Sequence, residues 1–491
     1  MLIWFEMSWY DMHRILSSSG LAELPPPVAW RPVFVKERGA AKHETLTRRI
    51  VEAIASGALR PMDRMPPHRD LARALGVSVQ TVSLAYREAE RLGYLRGEQG
   101  RGTFVRMRVT DRAGRFMLDR NVDETADLSI IRAVYSEAHE QASRAAMAEL
   151  ARSDNSAFMR PCRPIAGQDA HREAALRWLR PLGVRVPAER VIITNGAAHA
   201  VFLALAAIVR PGDVVATENL TEHGVIGLGH VLGFTLKGLA TDAQGLIPEA
   251  LEELCRIAPP RALAMTPTLS NPTGNTAGAA RRRAIAEIAR RHRIFVVEDE
   301  VFKPLIAEPL PAYVDLLPEL GFLATSFTKT VMTGLRAGYL ATPAHYATRV
   351  ASILRVTGWS ATSLPAEIAT RWVLDGTAHR LVEIQREETQ ARQAILKREL
   401  GDHIASTHPF ALCAWLRVPP GWSEDALVRE LASRRVAVSA SELFVAGPGH
   451  GGGMRVCLGG RLSRAAFGEA LATVRAVFDQ APPVMATRPI E

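Results

Sequence analysis

The sequence predicts a multidomain chain: a small helical module closed by a hairpin, then a large α/β unit on a mostly parallel sheet, then a smaller α+β part. Three observations carry this expectation. Apolar residues recur every fourth position between residues 46 and 91, broken by glycine and proline. From about residue 128, short uninterrupted apolar runs alternate with helical segments. After about residue 350, a long charged helix precedes well-separated strands.

The first module is built from local signals. Leu46, Ile50 and Ile54 predict an amphipathic helix over Leu46–Ser56, stopped by Gly57 and Pro61. Pro66-Pro67 starts a second helix with Leu71, Ala72 and Leu75 inward, and Gly76 ends it. Ser78 is placed to cap a third helix, Val79 to about Arg91. Two short helices joined by a tight glycine turn make a helix-turn-helix, whose second helix presents its N-terminal residues to base edges. Here those are Ser78, Gln80, Thr81 and Ser83. Gly93-Tyr94-Leu95-Arg96 and Gly100-Arg101-Gly102-Thr103-Phe104-Val105 predict a two-stranded wing, with Arg101 at its tip able to reach phosphate or the minor groove.

Charge agrees with a polyanionic partner. The 491-residue chain has a net charge of +9, and residues 31–110 hold 16 Lys/Arg against 8 Asp/Glu, leaving the remainder near neutral. A solvated basic surface is the plainer reading of charge alone. The segment from Leu46 to Val105 resembles the winged helix of the GntR family, through Pro66-Pro67-His68-Arg69-Asp70-Leu71-Ala72, Gly76-Val77-Ser78, Thr81-Val82 and Gly100-Arg101-Gly102-Thr103-Phe104. The resemblance implies double-stranded DNA as partner and adds Arg69 and Thr103 to the contact candidates. One departure stands out: the family usually has Arg after the capping Ser, and here Val79 follows it.

In the large unit the apolar runs are Val191-Ile192-Ile193, Val214-Val215-Ala216, Leu263-Ala264-Met265, Ile294-Phe295-Val296-Val297 and Leu323-Ala324. Parallel strands with both faces covered read this way, and their C-terminal ends bind ligands. Chemistry-bearing residues sit at those ends. Ser326-Phe327-Thr328-Lys329 is followed by Arg336; a lysine amine needs a sheltered site to be neutral, and Ser326, Thr328 and Arg336 together suit a phosphate. Asp299 is costly to bury without a cation, and a protonated pyridine nitrogen is such a cation. Asn271, held by Pro272, is placed to donate to a ring oxygen. Gly196, Ala197 and Ala198 open a helix, where backbone N–H groups suit an anion.

Each signal alone is weak, but their order is not: phosphate loop, Asn, Asp, Lys, Arg. The set resembles the fold-type I aminotransferases over about residues 128–480, and the whole chain resembles a MocR-type regulator. The resemblance implies pyridoxal 5'-phosphate joined to Lys329, Asp299 on the ring nitrogen, Asn271 on the ring oxygen, and Gly196, Ala197, Ala198, Ser326, Thr328 and Arg336 around the phosphate. It implies an effector carboxylate at Arg455, whose plainer reading is a strand-end salt bridge. It also implies a homodimer.

Three positions depart from the pattern. Phe302 stands where a tyrosine often donates to the ring oxygen, Glu222 and His223 replace a Tyr-Pro pair, and Ala197 replaces a hydroxyl in the phosphate loop. His223 is a candidate to replace the stacking ring. Cofactor binding is expected to survive these losses, with efficient transamination doubtful. The leading expectation is a pyridoxal phosphate-dependent transcription regulator that senses a small amine, an amino acid or the cofactor itself. The alternatives are an active aminotransferase with a vestigial head, and a regulator that no longer binds the cofactor.

The expected boundaries are a leader (1–30, ending in Pro25-Pro26-Pro27), the winged helix-turn-helix (31–106), a linker (107–127), the large domain (128–350), the small domain (351–483) and a tail (484–491), with 128–483 one aminotransferase-like unit. No apolar run reaches membrane-spanning length, and Met1 to Tyr10 lack the parts of a signal peptide. Cys162, Cys255, Cys413 and Cys457 form no CxxC pair, and the histidines lack metal-ligand spacing, so no metal is expected and a cytoplasmic setting is. Arg281-Arg282-Arg283 and Arg290-Arg291-His292-Arg293 read as the solvated face of a helix, and the glycines from Gly449 to Gly453 as a loop.

Overall fold

A computed structural model describes residues 28, 30–32, 41–55, 58–59, 63–91, 94–98, 102–105, 125–152, 164–446 and 452–480. The chain divides into two units, Met1–Leu118 and Asp119–Glu491.

In the first unit, helix α1 spans Lys42–Ala55. It begins one turn before the expected Leu46 because Glu44 accepts the Ala41 amide at 3.2 Å, satisfying a donor the helix end leaves open. Helix α2 spans His68–Leu75 and α3 spans Val79–Arg91. Gly76 takes φ +63 between them, a left-handed conformation that glycine adopts without strain. Ser78 Oγ accepts the Thr81 amide at 3.1 Å, as a helix cap should. Strands β1 (Leu95–Glu98) and β2 (Gly102–Val105) pair antiparallel as the wing. Leu46, Ile50, Leu71, Val82, Tyr86, Leu95 and Val105 share one core. Gly57, Pro61 and Arg101 lie outside the described residues.

The second unit is organised by a seven-stranded sheet. Its strands are β3 (Val191–Thr194), β4 (Val214–Glu218), β5 (Thr235–Leu239), β6 (Ala262–Met265), β7 (Phe295–Asp299), β8 (Gly321–Ser326) and β9 (Gly338–Ala341), in the order β3-β9-β8-β7-β6-β4-β5. Only β9 runs antiparallel to its neighbours. The strands alternate between two covered faces: Val191 and Ile193 enter one core, Ile192 the other. Two strands lie outside the expected apolar runs. β5 is an edge strand of alternating exposure, so it carries no such run. β9 begins two residues after Arg336 and is only four residues long.

Helices α4 (Glu137–Arg152), α5 (Asp169–Leu179), α6 (Ala197–Ile208), α7 (His223–Leu232), α8 (Pro248–Ile257) and α9 (Ala279–His292) surround or flank the sheet. α10 (Ala347–Gly358) and α11 (Ser363–Leu374) also pack their apolar sides into the sheet's cores. The long helix α12 (Thr377–Leu400) then leads to an antiparallel sheet of β10 (Ile404–Ser406), β11 (Cys413–Arg417), β12 (Ser439–Ala440) and β13 (Gly453–Cys457), ordered β10-β11-β13-β12. Helices α13 (Glu424–Ser433) and α14 (Arg464–Phe478) close its core with Leu396, Leu427, Val456 and Phe467. Val436–Ala437, another short extended segment of this region, pairs instead, parallel, with Ala126–Asp127. No described helix is long and apolar enough to cross a membrane.

Candidate functional site

The ends of β3 and β8 bring an anion cradle together. Gly196 precedes α6 with φ +90, and its carbonyl accepts from Thr194 Oγ1 at 3.1 Å. A Cβ there would lie 3.6 Å from Arg336 Nη2 and 3.7 Å from Thr328 Oγ1, so glycine leaves a space that these donors face. Thr328 Oγ1 is buried without a hydrogen-bond partner, an expensive state for a hydroxyl. Arg336 is exposed and has no ion pair among the described residues. Ser326 Oγ accepts the Thr328 amide at 3.4 Å and so braces the turn. Ala197 is buried at the helix start and Ala198 is exposed, with their amides among the open donors of the first turn.

Lys329 follows directly. Its ammonium donates to the Ile131 carbonyl at 2.7 Å. Burial pulls its pKa below the ordinary lysine value; Glu222 opposes this and Arg455 adds to it. Asp299, at the end of β7, accepts the Val301 amide at 3.1 Å. Burial, then the Glu222 carboxylate, pushes its pKa up to about 7. Desolvation opposes the charge of the half-buried Glu222, yet His223, the Gly224 amide and Lys329 hold it at about 2. It caps α7 through Gly224 at 2.6 Å and pairs with His223 Nδ1 at 2.9 Å. His223 therefore faces Glu222, with its edge towards Phe444 at 6.4 Å.

Asn271 and Arg455 meet within the second unit. Arg455, on β13, is 1 % exposed. Its Nη1 donates to Asn271 Oδ1 at 2.7 Å, and its Nη2 to the Ser129 carbonyl and Ser439 Oγ. The guanidinium lies over the Phe444 ring at 4.5 Å, while Nε is buried without a partner. None of these partners is a carboxylate, which removes the salt-bridge reading of Arg455 among the described residues. With Oδ1 engaged, the Asn271 amide is turned so that Nδ2 remains to donate. Phe302 is buried in an apolar cluster with Ile131, Leu269, Leu305, Leu412, Cys413 and Cys457, and brings no polar atom.

The arginine run on α9 needs correction. Arg283 is exposed and Arg281 pairs with Asp242, but Arg282 is fully buried. It donates to Glu300 at 2.6 Å, Thr268 at 2.7 Å and the carbonyls of Ala277, Pro267 and Pro311. Lys303 joins through Glu300 at 3.4 Å. This ionic cluster sits immediately behind Asp299 and ties β7 to the segment leading to Asn271. A buried charge is tolerated when every donor is matched in this way.

On the first unit, Arg69, Ser78 and Gln80 are exposed and Thr81 and Thr103 half-buried. Ser83 is drawn inwards: its hydroxyl meets His68 Nδ1 at 3.0 Å. His68 also packs edge-on against Tyr86 at 4.8 Å, and Tyr86 donates to the Pro66 carbonyl at 2.9 Å. These contacts lock α2 to α3. The outward stripe of α3 is instead Gln80, Leu84 and Arg87, and sequence reasoning missed the last two. Extending the four-residue spacing from Gln80 would have found Leu84.

Residues 130–474 match the family described as aminotransferase class I and II. The chain belongs to the aminotransferase class I and II family. This family member carries an added head: residues 42–105 match the gntR family of bacterial regulatory proteins. The chain is 26% identical over 436 residues to the uncharacterized HTH-type transcriptional regulator YdeF of Bacillus subtilis, covering 86% of this chain and 90% of that one. It is 26% identical over 437 residues to the HTH-type pyridoxine biosynthesis transcriptional regulator PdxR of Corynebacterium glutamicum, covering 83% and 90%. The fold is that of LysN, an α-aminoadipate aminotransferase from Thermus thermophilus solved with N-(5'-phosphopyridoxyl)-L-leucine: TM-score 0.65, 22% identity, 76% of this chain and 98% of that one.

Proposed function

We propose that this protein is a transcription regulator whose winged helix binds double-stranded operator DNA and whose aminotransferase-like unit holds pyridoxal 5'-phosphate at Lys329 to sense a small amine or amino acid. The observation that carries this is one constellation, the unengaged donors Thr328 and Arg336 around Gly196 beside Lys329 and Asp299, in a chain with a gntR-type head. The donor set fits the cofactor: an unpartnered buried hydroxyl and a guanidinium without an ion pair among the described residues face the space beside Gly196, whose φ of +90 favours glycine.

Pyridoxal phosphate, when bound, supplies a carbonyl carbon for an amine and an electron-withdrawing ring. The chain's own residues do the rest. Arg336, Thr328 and the amides at the start of α6 bind the phosphate, with Ser326 bracing Thr328. Asp299 accepts the ring N–H and holds the proton on that nitrogen. Asn271 Nδ2 donates to the ring oxygen, turned there by Arg455. Burial favours a neutral Lys329 amine. Arg455 receives an effector carboxylate, with its free Nε available for it.

Phe302 offers no hydroxyl to the ring oxygen, and Glu222 puts a carboxylate where an aromatic face would lie. Both favour sensing over turnover. A cytoplasmic homodimer is the assembly that goes with this reading. The test is a visible spectrum of the purified protein with and without candidate amines, joined to a gel shift on DNA flanking its own gene. A yellow band abolished by Lys329→Ala and a specific shift altered by one amine are expected. No specific shift with or without cofactor overturns it. Turnover as an aminotransferase is the second reading, favoured by the intact Lys329, Asp299, Asn271 and Arg455 set; steady release of keto acid would establish it.

A further inference from the structure

We infer that the recognition helix reads thymine methyl groups, with Leu84 and Val79 as the residues that do so. The inference rests on the DNA-binding reading above and concerns how that face chooses its sequence. Helix α3 buries Val82, Ala85, Tyr86 and Ala89 against the rest of its unit. Its opposite side therefore carries Gln80, Leu84 and Arg87, three or four residues apart and each exposed. Leu84 is 37% exposed in the middle of this stripe, and Val79, 43% exposed, opens the helix about 100° round from Gln80. Ser83, the hydroxyl between them, is held by His68.

Two branched apolar side chains facing water beside an amide and a guanidinium need an occupant that is apolar at points within a polyanion. Charge complementarity selects the polyanion: Arg69, Arg73 and Arg87 are all exposed on α2 and α3, in a segment with twice as many basic as acidic residues. On base edges in the major groove, the apolar group is the C5-methyl of thymine. Gln80 pairs with the N6 and N7 atoms of adenine. Gln80 and Leu84 are about 6 Å apart along the helix face, about two base steps. The face thus fits adenine and thymine close together, with Val79 on a further thymine. Arg87 reaches the adjoining phosphate.

The test uses the full-length, cofactor-loaded protein. A tight site is first selected from random DNA duplexes, and each thymine in it is then replaced singly by uracil, which removes only the methyl. Fluorescence anisotropy should show Kd weakened about fourfold at two positions of each half-site, the worth of one buried carbon group. Leu84→Ala should abolish the uracil effect at one position and Val79→Ala at the other, with binding to random DNA unchanged. If uracil is neutral throughout a tightly bound site, this inference falls and the DNA-binding reading stands. If selection enriches no sequence, both fall.

Discussion

Asp299 carries a charge that the cofactor-free protein disfavours. Its pKa rises from 3.8 to about 7 through burial and Glu222. The sign follows: a carboxyl raised in the folded state contributes stability below its unfolded pKa and loses it as pH climbs through 7. Asp299→Asn should therefore match the wild type near pH 4 and exceed it at pH 8 by about 2 °C in the melting temperature of cofactor-free protein. The same variant should bind pyridoxal phosphate more weakly, because the ring N–H would lose its anionic partner. Arg336→Ala should cost about 10- to 100-fold in cofactor affinity by absorbance titration, the scale of a lost charge-assisted hydrogen bond. At this scale the sequence was readable where a polar residue ended an apolar strand, as with Asp299 and Lys329. It was misleading at Arg282, because three successive arginines look alike in sequence while a helix turns one of them inwards.

Elements place these residues through close backbone contacts. A Cβ on Gly338 would stand 2.6 Å from the Thr325 carbonyl and 2.8 Å from Gly196 Cα. β9 can therefore lie between β3 and β8 only if that position is glycine. Gly338→Ala should destabilise the protein by about 2 kcal/mol in urea unfolding, as overpacking does, and loosen the phosphate cradle with it. Gly334→Ala is the control, since nothing lies within 4 Å of its Cβ and little change is expected. β3, β4, β6, β7 and β8 were legible because burial on both faces leaves apolar runs, while the buried β9 was too short to stand out. β5 was not legible, because an edge strand alternates. The turn at Gly76 was legible because a left-handed residue between two short helices calls for glycine.

At the scale of the whole chain, charge and function divide the same way. Nearly all the net positive charge belongs to residues 31–110. DNA affinity should therefore fall with salt, with a slope of about −0.9 per phosphate neutralised. Three arginines contacting phosphate per head would give a slope of about −3, and a homodimer on two half-sites about −5. Replacing Arg69 by alanine should flatten the slope by about one unit per head without changing the preferred sequence; Kd measured over a salt series checks this. The order of the two parts was legible from charge and motif order. How the four-stranded sheet contributes was less so, because two of Arg455's partners, Asn271 and Ser129, come from segments more than 180 residues away.

The hydrogen bond from Arg455 to Asn271 has one more consequence. On the proposed reading, an effector carboxylate that takes Nη1 of Arg455 along with the free Nε competes with the Asn271 side chain for that nitrogen. Winning that competition frees the amide to swivel and removes the clamp that points its nitrogen. Occupancy at one end of the proposed effector would thereby be reported at the other as a change in who donates to whom.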